Sequence, residues 1–400
     1  MRPIGHILGT PGVRPRTAAS ASPIDTLGAA AAVSRVAGLV DPRSAVKVWE
    51  IASRGCPSQV LVAPNGNLLE KNIKRSVRLL TPQGQEIRTV ALGKSVWGPQ
   101  PAFCEDGGFV VTSETGVERY GPDGERKWAL DLPEAPNATC AVGPEGNVYC
   151  YGRHKLYAIK DGKPLWEAAA EPHDWVSVPA VGADGTVVCG KLTAFSSDGT
   201  LQWRVEAEPV RGGVAVGPEG NVYYCGEDYQ LHALGPGGKE LWTHRLSGDK
   251  THYATPIVDA EGRVYALGGS FGTHLSILSP EGALLRERTL DDGESLTVLP
   301  GGKLVLASGK HGMRVLDEEG KLAWRQPEGW LIGQPRQGLD GSIYLPQMEK
   351  LICWIGGGEF NRRQHEAALG RAAEPTESAP RIARFSSWVM VGGITLPVRA

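Results

Sequence analysis

Two glycine-centred turns that alternate along the chain, each at an even spacing, predict an all-β fold. A tryptophan that follows the second turn makes the expectation more specific: an eight-bladed β-propeller, with seven blades as the alternative. The first turn is a Gly leading into a β-branched or aromatic pair, as in Gly146-Asn147-Val148-Tyr149. It recurs at Gly66, Gly107, Gly146, Gly185, Gly220, Gly262, Gly302 and Gly341. The period is about 39 residues, the length of a four-stranded blade, which favours a propeller over a solenoid.

The second turn, a Gly in a polar turn of the Pro-Glu-Gly, Pro-Asp-Gly or Ser-Asp-Gly type, recurs at Gly84, Gly124, Gly162, Gly199, Gly238, Gly282 and Gly320, and is expected again at Gly357. Such turns call for positive φ, which a residue without Cβ adopts freely. Short apolar, β-rich runs flank each turn, so each joins two antiparallel strands, and two hairpins make one blade. Four residues after the second Gly stands Trp128, Trp166, Trp203, Trp242 or Trp324.

The run Leu156-Tyr157-Ala158 to Gly162 and Trp166 resembles the repeat of pyrroloquinoline-quinone-type (PQQ-like) propellers, as do Leu192-Thr193-Ala194 to Trp203 and Leu231-His232-Ala233 to Trp242. The resemblance covers about residues 46 to 358. It implies that Trp128, Trp166, Trp203, Trp242 and Trp324 dock neighbouring blades and that the Ala permits close approach. It lapses where Val90 and Arg288 fall near the expected Trp, so looser docking is expected there. The quinone enzymes of this type carry an adjacent Cys-Cys pair, calcium-binding acidic residues and long insertions. None has a counterpart here, so the resemblance points to the non-enzymatic branch without cofactor. The outer-membrane assembly lipoproteins of that branch are nearer in size, but they carry a lipoprotein signal that is not seen here.

The eighth repeat runs through Ile343-Tyr344 and Leu351-Ile352-Cys353-Trp354, then turns Gly-rich with no fourth strand. Upstream, Val46-Lys47-Val48-Trp49-Glu50 reads as the missing strand, and Trp49 is in phase with the other tryptophans. The N-terminal strand is therefore expected to close the last blade, which removes an open edge.

Three parts follow: an N-terminal arm (1–45), the propeller (46–358) and a C-terminal arm (359–400). Ser22-Pro23 suits a helix start, with the helix running towards Leu39. Glu359 to Ala373 reads as a second helix and Glu374 to Pro380 as a linker. The stretch Phe385 to Val398 is apolar and β-prone, a form that must pair with something. It either folds back on the ring or adds to another subunit. In the second case Trp388, Val389, Ile394 and Leu396 would bind the partner.

Chemistry is sparse. Lys and Arg total 42 against 44 Asp and Glu, a net charge of −2 that lacks the basic excess of a nucleic-acid binder. The seven cysteines include no CxxC. Cys150, Cys189 and Cys225 hold similar places in three blades, as a buried strand residue would or, less simply, a metal cluster. His244, His252 and His274 lack ligand spacing, and Gly93-Lys94-Ser95 lacks the upstream Gly of a phosphate loop. Ser196-Ser197-Asp198-Gly199 differs from the Asp-box in having Asp and Gly adjacent. Pro3, Pro11 and Pro15 break up any secretory signal and no run spans a bilayer, so a cytoplasmic or virion-associated protein is expected. The reading is a non-catalytic interaction propeller, fastened to other protein subunits by its arms. A phage tail or capsid accessory component is its most specific form. The alternatives are a hydrolase or lyase using the central channel, and a cellular scaffold.

Overall fold

The computed structural model describes residues 40–368, except 54–56, 73–75, 93–100, 135, 137–139, 171–177, 190–191, 207–209, 249–254, 270–273, 291–294, 309–311, 327–334 and 348, together with Phe385–Met390 and Thr395–Arg399. Eight four-stranded antiparallel sheets make up the ring. Blade 1 comprises Pro57–Val62, Leu68–Asn72, Ser76–Leu80 and Glu86–Ala91. Blades 2 to 7 repeat this meander over residues 102–131, 141–169, 180–204, 210–245, 257–289 and 295–326. Blade 8 takes Arg336–Gln337, Ile343–Gln347 and Lys350–Gly356, with Ala45–Ala52 as its fourth strand. Eight blades, not seven, close the circle.

First strands of successive blades approach one another and line the axis, while fourth strands form the rim. Second strands such as Val148–Tyr151 are buried on both faces and read as continuous apolar runs. The rim strands Arg126–Asp131, Glu240–Arg245 and Leu284–Thr289 alternate between exposed and half-buried positions. Apolar side chains gather in eight layers, one at each blade joint, with no single central core.

The turns show why glycine marks the period. Between Val142 and Val148, the Gly146 amide donates to the Gly143 carbonyl (3.0 Å) and the Gly143 amide to the Asn147 carbonyl (2.8 Å). This closes a tight turn whose last residue, Gly146, has φ +76°. Blade 3 is the exception at its outer hairpin. There Asp161 (φ 50°) and Gly162 (φ 75°) form a two-residue Asp-Gly turn, a form whose twist suits the flanking strands.

The tryptophans lie across the joints. The Trp49, Trp166, Trp203 and Trp242 indole N–H groups donate to the Pro82, Ser197, Pro236 and Pro280 carbonyls of the next blade at 3.0, 2.8, 2.6 and 2.8 Å. Each carbonyl lies two residues before the turn glycine on which the ring rests, so a Cβ at Gly199 or Gly282 would come within 2.7 Å of the indole. Trp128 rests on Gly162 and Trp324 on Gly356. At the two joints without Trp, the facing positions are held by Arg88 and Arg286, not by Val90 and Arg288. The cross-strand register sets Leu79 opposite Arg88 and Ile277 opposite Arg286, as Ala158 is opposite Trp166. Arg286 Nη1 donates to the Glu318 carbonyl at 2.9 Å, reproducing the indole bond, and the Arg88 stem covers Gly124. Arg288 still reaches the Gly320 carbonyl at 3.3 Å, and Val90 is buried between blades 1 and 2.

Closure uses the chain's own N-terminal strand. Ala45–Ala52 pairs along Lys350–Gly356 with one bulge after Lys47. Trp49 tilts against Tyr344 with centroids 5.7 Å apart. Just past the strand, a buried ion pair pins the seam: Arg78 Nε donates to Glu70 at 2.7 Å, and Arg78 Nη1 to the Ala52 carbonyl at 2.9 Å. Ser53 donates its hydroxyl to the same Glu70 carboxylate. Ahead of the strand, the Arg325 amide donates to the Arg43 carbonyl (3.0 Å), and Asn361 exchanges two hydrogen bonds with the Val40 backbone.

Two expectations at the end of the ring need correction. No turn forms at Gly357, because the third strand of blade 8 continues to Gly356 and its fourth strand comes from the other end of the chain. The helix spans Gly357–Ala368, starting earlier than Glu359, and Glu359 binds Arg362 and Arg363 along it. The helix expected after Ser22 and the linker from Glu374 to Pro380 lie outside the described residues. Phe385–Met390 pairs antiparallel with Thr395–Arg399, and the first of these strands lies against the inner strands of blades 3, 4 and 5.

Candidate interaction face

The two faces of the ring differ in their connections. On one, the first and second strands of every blade are joined by five residues: 63–67, 104–108, 143–147, 182–186, 217–221, 259–263, 299–303 and 338–342. The second hairpins on that face are equally uniform apart from blade 3. On the other face, the blade-to-blade connections range from 53–56 and 205–209 to 92–101, 170–179 and 246–256. A repeat that keeps one set of turns constant and varies the other concentrates its individuality on one face, where repeat proteins place their binding loops.

Blade 5 carries the most elaborated turn described on that variable face. Between its second and third strands, Val222–Gly226 and Gln230–Leu234, Tyr229 sits at φ +67°, a backbone state that a bulky residue rarely adopts. Asp228 holds it there, accepting from the Gln230 amide at 3.1 Å, from Gln230 Nε2 at 2.8 Å and from His232 Nε2 at 3.1 Å. Burial by itself would raise the Asp228 pKa, but the hydrogen bonds from His232 and Gln230 prevail and hold it below the usual carboxylate range. Arg245 Nη1 donates to the Asp228 carbonyl at 3.0 Å, and its guanidinium lies over the Tyr229 ring, 5.3 Å from the centroid. Tyr229 stays 37% exposed, the one aromatic among the large apolar side chains exposed in the described residues. A pre-set Tyr–Arg pair of this kind is the composition of a binding hot spot.

The same turn is poorly suited to acid–base catalysis. His232 is buried and stacked on Tyr224, with centroids 4.7 Å apart. Its Nδ1 is 3.6 Å from Glu240, beyond hydrogen-bond reach, and its Nε2 is taken up by Asp228. The histidine serves the turn.

The structure separates the other candidates. Cys150, Cys189 and Cys225 lie in three different interblade layers, all buried, and no cluster of metal-ligating residues occurs among the described residues. His244 is on the rim strand of blade 5 and His274 opens the third strand of blade 6, while His252 and Gly93-Lys94-Ser95 lie outside the described residues. Asp198 caps its own turn, accepting from the Thr200 amide at 3.0 Å. Trp388, Val389 and Leu396 belong to the C-terminal hairpin, and Ile394 is outside the described residues. No helix of the described residues is long and apolar enough to cross a membrane. Sequence reasoning missed Tyr229 and Arg245, although the residues Glu227-Asp228-Tyr229 between two strands were a legible polar turn with an aromatic at its tip.

An all-β ring of eight four-stranded meanders is an eight-bladed β-propeller, and part of it is similar to the PQQ-like propellers. Residues 188–276, from blade 4 into blade 6, match the family model described as outer membrane protein assembly factor BamB. BamB from Moraxella catarrhalis superposes with a TM-score of 0.57 at 16% identity, over 78% of this chain and 99% of that one. The C-terminal WD40 domain of Sif2 superposes with a TM-score of 0.61 at 13% identity, over 80% of this chain and 99% of that one. At such identities the likeness is one of fold. No curated protein matches the chain.

Proposed function

We propose that this propeller is a non-catalytic protein-interaction module that grips a partner with its variable-loop face, and that its two arms fasten it into a larger assembly. The contrast between constant five-residue turns on one face and connections of very unequal length on the other carries this reading. The Tyr229–Arg245 pair adds a pre-organised anchor, whose ordering cost is met before binding. The likeness to an assembly factor and to a WD40 propeller fits the same class of role. For the arms, the support is their placement: the chain enters the ring at Val40 beside Asn361 of the C-terminal helix, so both arms have their roots at the closure seam. The ring and the proteins it resembles lend no support to a virion role.

The test is a native pull-down from the source with three forms of the full chain. The form with Tyr229→Ala and Arg245→Ala should lose its partner, whereas Gln83→Ala with Glu219→Ala, on the constant-turn face, should keep it. Loss confined to the second pair would place binding on the wrong face and refute the reading.

A further inference from the structure

In blade 3 the first strand, Ala141–Val142, pairs with Val148–Tyr151 so that Ala141 faces Tyr149 and Val142 faces Val148. One residue further along the same register, Cys140 stands opposite Cys150. Gly143 and Asn147 are a hydrogen-bonded pair in this hairpin. Such pairs alternate with non-hydrogen-bonded ones, so 140 and 150 form a non-hydrogen-bonded pair, the kind whose side chains approach most closely. Cα atoms in such pairs lie about 4.5 Å apart, within the span a disulfide bridges. Burial first, and then the neighbouring Cys150 thiol, raise the Cys140 pKa, as two thiols side by side would. They share one buried interblade layer with Val117, Val148 and Tyr157, at 1% and 0% exposure. Blades 2, 4, 6 and 8 have Pro101, Pro179, Pro256 and Pro335 just ahead of their first strands, where blade 3 has Cys140.

We propose that Cys140 and Cys150 are a cross-strand dithiol that oxidises to a disulfide within blade 3, with a small disulfide such as oxidised glutathione as the oxidant. One thiol loses its proton and its sulfur attacks the oxidant's S–S bond, releasing one glutathione thiolate and forming a mixed disulfide. The second cysteine's sulfur then displaces the remaining glutathione. Two cysteine thiols become one disulfide and one glutathione disulfide becomes two glutathione thiols, so electrons and protons balance. Burial pushes the Cys140 thiol well above its ordinary range, so exchange in the folded ring is slow and passes through opening of the hairpin or takes place during folding. The bond would anchor the start of the inner strand, at the root of the variable-face connection 132–140.

The full chain, native and after refolding from urea, is held in glutathione buffers from reducing to oxidising. It is then quenched in acid, unfolded, alkylated and digested with trypsin. Cys140 and Cys150 fall in one tryptic peptide, residues 128–153. The expected result is that this peptide, in at least the refolded sample, escapes alkylation and loses two hydrogens, while the other five of the seven cysteines stay alkylated. In Cys140→Ser, Cys150 should be found alkylated or carrying one glutathione, and the loss of two hydrogens should disappear. Full alkylation of both residues in native and refolded protein, or oxidation that joins other cysteines instead, overturns the proposal.

Discussion

Replacing Trp242 by Ala removes one clasp between blades 5 and 6 and leaves the strands intact. The indole donates at 2.8 Å to the Pro280 carbonyl, a neutral bond whose net contribution is about 1 kcal/mol. Its ring tilts against Tyr223 with centroids 5.8 Å apart, a geometry that adds about 1 kcal/mol. The half-buried ring also covers Gly282, and re-exposing roughly 40 Å² of apolar surface costs about 1 kcal/mol more. The expected loss is thus about 3 kcal/mol, at the low end of the range for truncating a large aromatic, because one side of the ring already meets solvent. Urea unfolding followed by far-UV circular dichroism reads this as a lower midpoint at unchanged slope. Arg286→Ala is the matched control. It removes one half-buried arginine on the rim that makes the equivalent bond to Glu318, and its cost should stay within about 1 kcal/mol. Equal losses from the two variants, or less than 1 kcal/mol from Trp242→Ala, would refute the claim that the indole is the stronger clasp.

Arg286→Trp should raise the urea midpoint, since it restores an indole where the other joints have one; a lower midpoint would show that this joint is shaped for the guanidinium. Gly282→Ala should cost at least as much as Trp242→Ala by the same measurement, because the new Cβ meets the ring at 2.7 Å on a backbone with φ +89°. Glu70→Gln leaves Arg78 buried beside an uncharged partner, and about 3 kcal/mol should be lost, with hydrogen exchange accelerated first in Ala45–Ala52. Alkaline pH should destabilise the ring. Burial raises Cys104, Cys189, Cys225 and Cys353 from 9.0 to about 12. A raised folded pKa gives stability that is complete below the unfolded value and lost as pH climbs towards the folded one, so the melting temperature should fall steeply from pH 9 upwards. Cys189→Ala should make that fall shallower, and an unchanged slope would contradict it.

The ring was legible because its signals repeat: one glycine tells little, but eight at one spacing specify hairpins, and hairpins at blade length specify a propeller. The closing strand was legible for the same reason, since Trp49 keeps phase with tryptophans in other blades. What the sequence hid was substitution of function by an unlike side chain. Arg286 makes the bond of an indole, and only the register that sets it opposite Ile277 reveals this. Gly357 looked like one more turn because nothing local shows that the fourth strand of blade 8 arrives from residue 45. Cys140 and Cys150, ten positions apart, become neighbours only once the hairpin register is known, whereas the apparent equivalence of Cys150, Cys189 and Cys225 dissolves into separate layers. The proposed interaction face was out of reach for a related reason: which connections share a side of the disc depends on strand order, and composition does not carry it.

The most direct measurement is hydrogen–deuterium exchange on the full chain, alone and with the partner recovered from the source. Protection concentrated in peptides covering 132–140, 226–231 and 246–256 is the expected result and would place the partner on the variable-loop face. Protection concentrated in 63–67, 143–147 and 217–221, on the constant-turn face, would contradict it.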